Sequence, residues 1–563
     1  MARGLPVAAW LRSYRREWVR PDVVAGLTVA AVVIPQAMAY AVIAGLPVET
    51  GLYTALAAML VYPLFGSSRP LSVTTTSAIA MLTATEIAAV SALTTGVGPG
   101  TIAAALALMV GGILILARLL RLGFLANFIS QPVLIGFKAG VGVVILVGQL
   151  KSVLDVQVTS RTTLGTLLEL PRLLPQMHVA TALVAMAGIA VLLGAPRVFP
   201  RVSAPLAWVA LSIAASVVLG LETFGVKMVG AIPSGLPLPA LPDLALAATL
   251  WPGAMGIALM SFTETVATAR TFCQPEDAPV NPNQELLATG AANLASAFAG
   301  GLPAGGGASQ TAVAQDAGVR SQMAQWVNAA AVLLTVLALS RLIGLLPKAA
   351  LGALIVVAAA SMIKPEAFRA IARVRRDELA WALVTSAAVI AVGTLQGILI
   401  AVVISLLTLI YQANHPPVYA LAYNHEKRLF RRAGWYKGDE MLPGLLILRT
   451  EGRIYFANAA NAAEKMQALV AQAQPRTIVL ECSGIPDIEY TALTMLTEAQ
   501  GKLRSRGITL WLAAVNPDLL RTIERSPLGA ALGHERMFFD LHHALEAWQH
   551  AREPGAGSGA IER

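Results

Sequence analysis

Long apolar runs separated by short polar segments occupy the first 413 residues of the chain. Two of them, which begin near Thr75 and near Ala308, are too short to cross a membrane alone, whereas the others have spanning or near-spanning length. The pattern predicts an α-helical polytopic membrane protein with fourteen transmembrane segments, at about 22–44, 51–66, 75–94, 101–118, 128–150, 179–195, 204–221, 246–269, 285–300, 308–317, 323–340, 345–362, 379–393 and 396–413.

The two short runs begin with a similar pattern of residues. GSSRPLSVTTTSAIA (66–80) and GGLPAGGGASQTAVA (300–314) each contain glycine, then proline, then small or hydroxyl residues that open a short apolar helix. They lie in corresponding positions of two halves of seven segments, and an odd number inverts the second half. The sequence therefore predicts 7+7 inverted repeats with a pair of broken helices, the usual location of a transporter's binding site.

The pattern changes after Tyr411 to that of a soluble domain. GLLILRTEGRIYFAN, RTIVLECSG and ITLWLAAV are typical of strands, and they alternate with helical stretches that end near Gln472 and run from Thr491 to Arg506. The predicted organisation is a cytosolic N-terminal segment at 1–20, a transmembrane transport domain at 21–413, a linker at 414–440, a small cytosolic α/β domain at 441–552 and a disordered tail at 553–563.

Composition and charge agree with a membrane protein. Of the 563 residues 56% are hydrophobic and 13% charged, against about 25% charged in soluble domains. The formal net charge of +9 lies in short loops rather than in a patch with aromatic residues, which argues against nucleic acid as a partner. The positive-inside rule predicts a multi-pass protein of the bacterial-type inner membrane, with lipid around it and both termini cytosolic. The basic residues that this orientation places inside are Arg118, Arg121, Arg197, Arg201, Arg270, Arg320, Lys364, Arg369, Arg373, Arg375 and Arg376.

Several kinds of chemistry find no support in the sequence. The two cysteines, Cys273 and Cys482, form neither a disulfide framework nor a zinc pattern. The chain has no phosphate-binding G-x-x-x-x-G-K-[ST] loop, so ATP-driven pumping is not expected. It has no recognisable catalytic constellation, and we predict a non-enzyme without a cofactor.

The broken helices predict a site for an anion. The N-terminus of each half-helix leaves N–H groups unpaired and carries about half a positive charge, so two facing N-termini bind an anion without a basic side chain. Glycines 305–307 let the backbone approach a ligand closely. The alternative is that these small residues only ease helix packing. The predicted substrate-binding side chains here are Thr74, Thr75, Thr76, Ser309 and Gln310.

Glu264 is the charged residue at the centre of a predicted helix, in MGIALMSFTETVATARTF. A carboxylate at a helix centre costs roughly 2.5–3.5 kcal/mol on insertion scales, which makes it a functional candidate. Burial disfavours its charged form, so it could bind and release a proton, or hold a sodium ion together with Thr268. The alternative is a structural ion pair with Arg270. Glu86 is a second, weaker candidate.

Gln36 follows Pro35 in VVIPQAMAYAVIAGLP. We expect the proline to break the helix, which would bring the glutamine amide to the membrane midplane as both donor and acceptor. Tyr40 and Phe262 would then supply an apolar wall for the site. A packing kink without a ligand is the alternative.

Several long motifs resemble one family in order along nearly the whole chain. DVVAGLTVAAVVIPQAMAYAVIAGLPVETGLYTA resembles the opening signature of the SulP (sulfate permease) family, and GLPAGGGASQTAVAQDAGVRSQ resembles its tenth helix. EGRIYFANAAN and TIVLECSGIPDIEYTAL resemble the STAS domain that these proteins carry, at 441–552. The resemblance implies a compact core domain, a flatter gate domain, elevator-like transport and a homodimer.

The resemblance also implies roles for residues. It places the substrate between the third and tenth helices and the coupling acid, here Glu264, on the eighth. Bicarbonate-transporting relatives bind sodium with a layout that Glu264, Thr268, Gly307, Ala308 and Ser309 match, although their acid is aspartate. Proton-coupled relatives often carry glutamate.

The chain departs from the family's pattern in two places. Gln310 stands where many members have an arginine, so a side-chain positive charge is lost there. Tyr490 stands where many STAS domains have a serine before the threonine, here Thr491, so the usual phosphorylatable residue is replaced.

We therefore expect a secondary active transporter of a small anion (sulfate, bicarbonate or a dicarboxylate), with a proton favoured as the coupling ion. The alternatives are a sodium-coupled bicarbonate symporter, an uncoupled exchanger or channel of the same fold, and a membrane-anchored signalling protein. Glu264 argues against an uncoupled protein, and the paired broken helices argue against a purely signalling role.

Overall fold

The computed structural model describes residues 6–92, 96–127, 130–160, 162–199, 203–230, 235, 244–274 and 277–551. The predicted tail at 553–563 and the first five residues of the predicted N-terminal segment lie outside these ranges. The chain folds into two compact units, Met1–Ser405 and Leu406–Arg563.

The first unit is helical, and a helix lies at each of the fourteen predicted runs. The helix at the last of these runs continues past Ser405. By length and composition, six helical stretches among the described residues can cross a membrane. The helices are α1 (Pro6–Arg12), α2 (Val19–Ile43), α3 (Val48–Phe65), α4 (Ser77–Ser91), α5 (Pro99–Leu119), α6 (Gln131–Leu154), α7 (Thr163–Leu173), α8 (Val179–Val198), α9 (Ala204–Leu219), α10 (Ala247–Thr271), α11 (Pro282–Phe298), α12 (Ala308–Asp316), α13 (Met323–Ala338), α14 (Ser340–Gly344), α15 (Lys348–Met362), α16 (Pro365–Val374), α17 (Arg376–Val392) and α18 (Thr394–Asn414). This architecture confirms the predicted fold class.

The break expected at Pro35 does not occur, because α2 continues through it from Val19 to Ile43. Proline has no N–H to donate to the carbonyl four residues earlier, which belongs to Ala31. The Ser203 hydroxyl donates to that carbonyl at 3.2 Å. A neighbouring helix therefore satisfies the acceptor that Pro35 leaves free, as transmembrane helices commonly require.

The short helices α4 and α12 are the predicted broken helices, or half-helices, and two groups of helices meet beside them. The half-helix group consists of α2, α4, α10 and α12, in which α10 packs on α4 and α12 packs on α2. The wall group consists of α6, α15 and α17, in which α6 packs on both of the others.

The second unit is an α/β domain built on one six-stranded sheet. Two short strands, β1 (Val73–Thr74) and β2 (Gly305–Gly306), belong to the first unit. The strands of the second unit are β3 (Val418–Asn424), β4 (Leu429–Arg432), β5 (Leu445–Thr450), β6 (Thr477–Glu481), β7 (Thr509–Ala513) and β8 (Met537–Phe538), in the order β4-β3-β5-β6-β7-β8. Strands β5 to β8 are parallel, and β3 is antiparallel to both of its neighbours. The helices are α19 (Ala459–Ala473), α20 (Tyr490–Ser505), α21 (Pro517–Glu524), α22 (Pro527–Leu532) and α23 (Leu541–His550).

The stretch 414–440, predicted as a linker, contains β3 and β4. Five consecutive residues of β3 are buried, and Leu421 pairs with Ile447 of β5. This stretch belongs to the sheet because its apolar side chains alternate between two buried clusters. Ala420 packs in one cluster and Leu421 in the other.

Candidate functional site

The two segments predicted to be broken helices meet in the structure. Strand β1 (Val73–Thr74) pairs antiparallel with strand β2 (Gly305–Gly306), and the Gly307 N–H donates to the Ser72 carbonyl at 2.9 Å. Each strand leads within a few residues into a half-helix, α4 or α12. The antiparallel pairing agrees with an inverted repeat, and it brings the N-termini of both half-helices to one place.

Glycine is needed in β2 because α10 lies directly against it. A Cβ at Gly306 would lie 2.8 Å from the Cα of Thr265, and one at Gly305 would lie 3.2 Å from the Cα of Ser261. The Gly306 N–H donates to the Thr265 hydroxyl at 2.9 Å, and the Ser261 hydroxyl donates to the Ala304 carbonyl at 2.6 Å. Hydroxyl residues of α10 therefore fix the crossing point of the two segments.

A cavity of about 180 Å³ lies at the half-helix N-termini, between the half-helix group and the wall group. The wall group contributes Lys138 from α6 and Ala358, Ser361 and Met362 from α15. Gly306 and Ser77 also line it without having been predicted as site residues. The structure brings most of the predicted site residues to this cavity, namely Gln36, Tyr40, Thr75, Thr76, Glu264, Gly307, Ala308, Ser309 and Gln310.

Three predicted site residues are buried but do not line this cavity: Thr74, Phe262 and Thr268. Thr74 lies in β1 opposite Gly305. Phe262 precedes Glu264 by two positions, and residues two apart do not share a helix face. Thr268 lies one turn beyond Glu264 on α10.

Glu264 is 7% exposed, and both of its carboxylate oxygens have partners. Lys138 Nζ lies 3.2 Å from Oε1, and the Thr76 hydroxyl donates to Oε2 at 2.8 Å. Thr76 also caps α4 by accepting from the Ile79 N–H. Arg270 was the alternative ion-pair partner expected from the sequence, whereas the structure places Lys138 beside Glu264.

Lys138 is the charged residue that the sequence analysis missed. It lies within QPVLIGFKAGVGVVILVGQL, an otherwise uncharged run. A charged residue inside a predicted transmembrane helix is a functional candidate by default. The rule that selected Glu264 would also have selected Lys138.

Polar contacts hold Gln310, on α12, in place. Its amide donates to Gln36 Oε1 at 3.2 Å and accepts from the Ser72 hydroxyl at 3.4 Å. Among the described residues, the buried Thr75 hydroxyl has no hydrogen-bond partner. Thr75 is fully buried beside the cavity, so its hydroxyl is an unpaired donor at the edge of the site.

The residues present do not fit a sodium site at Glu264. Sodium is a hard cation that takes several oxygen ligands, whereas here an ammonium lies against one carboxylate oxygen and a hydroxyl donates to the other. Thr268, the expected second ligand, does not line the cavity.

Paired half-helices that open onto a polar cavity between two helix groups define an inverted-repeat membrane transporter. Residues 19–385 match the sulfate permease family, and residues 439–544 match the STAS domain. The chain belongs to the sulfate permease family, whose transmembrane part is here followed by a STAS domain. These matches confirm the resemblance seen in the sequence. They also confirm the expectation of a transporter rather than an enzyme.

Relatives and solved structures agree with this assignment. The chain is 36% identical to the "Probable sulfate transporter Rv1739c" of Mycobacterium tuberculosis, over 97% of this chain and 98% of the relative. The fold is similar to that of the murine Slc26a9 anion transporter in the inward-facing state, with a TM-score of 0.85 and 22% identity over 97% of this chain and 94% of that one. It is also similar to the transmembrane domain of a cyanobacterial bicarbonate transporter, BicA, with a TM-score of 0.59 and 22% identity over 70% of this chain and 98% of that one.

Proposed function

We propose that this protein is a secondary active transporter of a small oxyanion, with sulfate as the first candidate substrate. The observation that carries the proposal is that two helix N-termini, at Ser77 and Ala308, open onto one cavity. Each N-terminus acts as about half a positive charge, and the free Thr75 hydroxyl adds a donor. The similarity to a probable sulfate transporter of M. tuberculosis favours sulfate over other oxyanions.

We propose that protons drive the transport and that Glu264 carries them. An anion and an ionised Glu264 together would move negative charge through the low-dielectric barrier. Lys138 offsets the charge of Glu264 while α10 lies beside α6. When the half-helix group moves away from the wall group, Glu264 loses this counter-charge, and a proton replaces it. The ammonium at this position disfavours sodium as the coupling ion.

The proposed motion is elevator-like, with the half-helix group carrying the anion past the wall group. The cavity lies between the two groups and takes residues from both, so relative motion of the groups would open it to one side and then to the other. We further propose a homodimer in a bacterial-type inner membrane, with both termini cytosolic. The arginine-rich loops support this orientation.

Uptake by purified protein in proteoliposomes tests the function. Radiolabelled sulfate, bicarbonate and fumarate are each offered with and without an acidic exterior, in sodium buffer and in potassium buffer. We expect the acidic exterior to drive accumulation of sulfate equally well in both buffers. Uptake that needs sodium at every pH would overturn proton coupling. Absence of protein-dependent uptake of every anion would overturn the transport function.

A further inference from the structure

The positive charge at the cavity comes from the wall group. Lys138 lies on α6, among the residues that line the cavity, and its side chain is 34% exposed. The half-helix residues that line the same cavity carry a carboxylate, amides and hydroxyls. Among the described lining residues, Lys138 therefore supplies the one basic side chain, and it does so from a different helix.

The ammonium has donors beyond the one that Glu264 uses. A lysine ammonium carries three N–H groups on a flexible four-carbon stem. Its contact with Glu264 Oε1, at 3.2 Å, accounts for one of them. An anion at the N-terminus of α12, where Ser309 is exposed, would be bound by helix N–H groups of the half-helix group and by Lys138 of the wall group, which lines the same cavity.

We propose that Lys138 is a direct ligand of the transported anion, which shares or takes the ammonium from Glu264 when it enters the cavity. This inference rests on the proposed function, since it assigns a residue to the same site. Lys138 sets selectivity for anions because it adds a full positive charge to the two partial charges of the helix N-termini, and a full charge favours divalent over monovalent anions.

The competing explanation is that Lys138 only neutralises Glu264. A carboxylate left unpaired beside the cavity would repel any anion, so loss of the lysine alone would weaken binding under either explanation. The two explanations differ when both charges are removed. Neutralisation alone predicts that a variant lacking both charges binds the anion like the wild type, whereas a direct ligand predicts that its binding stays weak.

The experiment measures the binding of radiolabelled sulfate to the full chain in nanodiscs, with chloride as the monovalent competitor. The variants are Lys138→Met, Lys138→Arg and the double variant Lys138→Met/Glu264→Gln. Lys151→Met is the control, because Lys151 lies on α6 but not among the cavity-lining residues. We expect Lys138→Met to weaken sulfate binding by about tenfold or more, as for the loss of a hydrogen bond to a charged group, and Lys138→Arg to bind within a few-fold of the wild type.

The double variant distinguishes the two explanations. Because it removes one positive and one negative charge, neither charge is left buried without its partner, and we expect the variant to fold. We expect it to remain about tenfold weaker than the wild type for sulfate and to lose most of its preference over chloride. Wild-type affinity in the double variant, or in Lys138→Met, would overturn the assignment while leaving the transport function intact. Absence of sulfate binding and of uptake in the wild type would overturn both.

Discussion

Glu264 and Lys138 form an ion pair between two helices that are distant in the chain, and each residue has a different task in the proposed transport. The lysine is fixed in the wall group, whereas the carboxylate lies in the half-helix group. In the proposed mechanism, the carboxylate changes its surroundings during each cycle and exchanges its counter-charge for a proton, which would couple the two fluxes.

The coupling role predicts a specific defect in Glu264→Gln. The glutamine is neutral, as protonated Glu264 is, and it leaves the Lys138 ammonium free for the anion. We expect sulfate to bind at least as tightly as in the wild type and to exchange in counterflow, but not to accumulate along a pH gradient. Thr268→Ala serves as the comparison and should retain nearly full activity, since Thr268 does not line the cavity. Accumulation by Glu264→Gln against the sulfate gradient would refute the coupling role.

A second prediction concerns donors at the start of α12. Ser309 lines the cavity, and a hydrogen bond to a charged group contributes about 1.5–3 kcal/mol. Ser309→Ala should therefore weaken sulfate binding about tenfold or more, whereas Gln310→Arg should tighten divalent anions because it adds a second full charge. Thr335→Ala is a suitable control, because Thr335 donates locally to Ala331 on α13. Unchanged uptake and competition in both site variants would place the substrate elsewhere.

At the scale of elements, the β1–β2 crossing depends on the absence of a side chain at Gly306. Gly306→Ala would bring a Cβ to 2.8 Å from the Thr265 backbone, which is not the flexible end of a side chain. We expect lower thermal stability and loss of most sulfate uptake, measured on equal amounts of membrane-inserted protein. Gly112→Ala on α5 is the matched control, since a Cβ there meets no described atom within 4 Å. Equal melting temperatures for the two variants would contradict this account.

The elements that could be predicted from the sequence are those that have the same surroundings along their whole length. Lipid requires every backbone group to be satisfied within a helix, so the long apolar runs gave the membrane helices directly. The short helices α7, α14 and α16 have no such run. The effect of Pro35 depends on Ser203, and the pairing of Glu264 depends on Lys138, which lies far away in the chain. Such contacts are set by packing, which a local pattern does not contain.

At the scale of the whole molecule, the chain contains two units that each have their own core. The first encloses the cavity, which is lined entirely by residues between Gln36 and Met362. The second has apolar clusters on both faces of its sheet, and in it β3 and β4 extend the sheet beyond β5. All the described residues that line the proposed anion site therefore lie in the first unit.

This separation predicts the effect of removing the STAS domain. A truncation after His415 deletes the whole sheet, including β3, and should lower abundance or transport rate while leaving the sulfate dissociation constant within a few-fold of the wild type. A truncation after Glu440 keeps β3 and β4 without β5, so residues such as Leu421 and Tyr423, which are buried in the intact sheet, become exposed beside an unpaired strand edge, and this variant should aggregate. Binding assays and size-exclusion profiles of both truncations in nanodiscs check the prediction. A roughly tenfold loss of affinity in the well-folded shorter protein would show that the second unit contributes to the anion site.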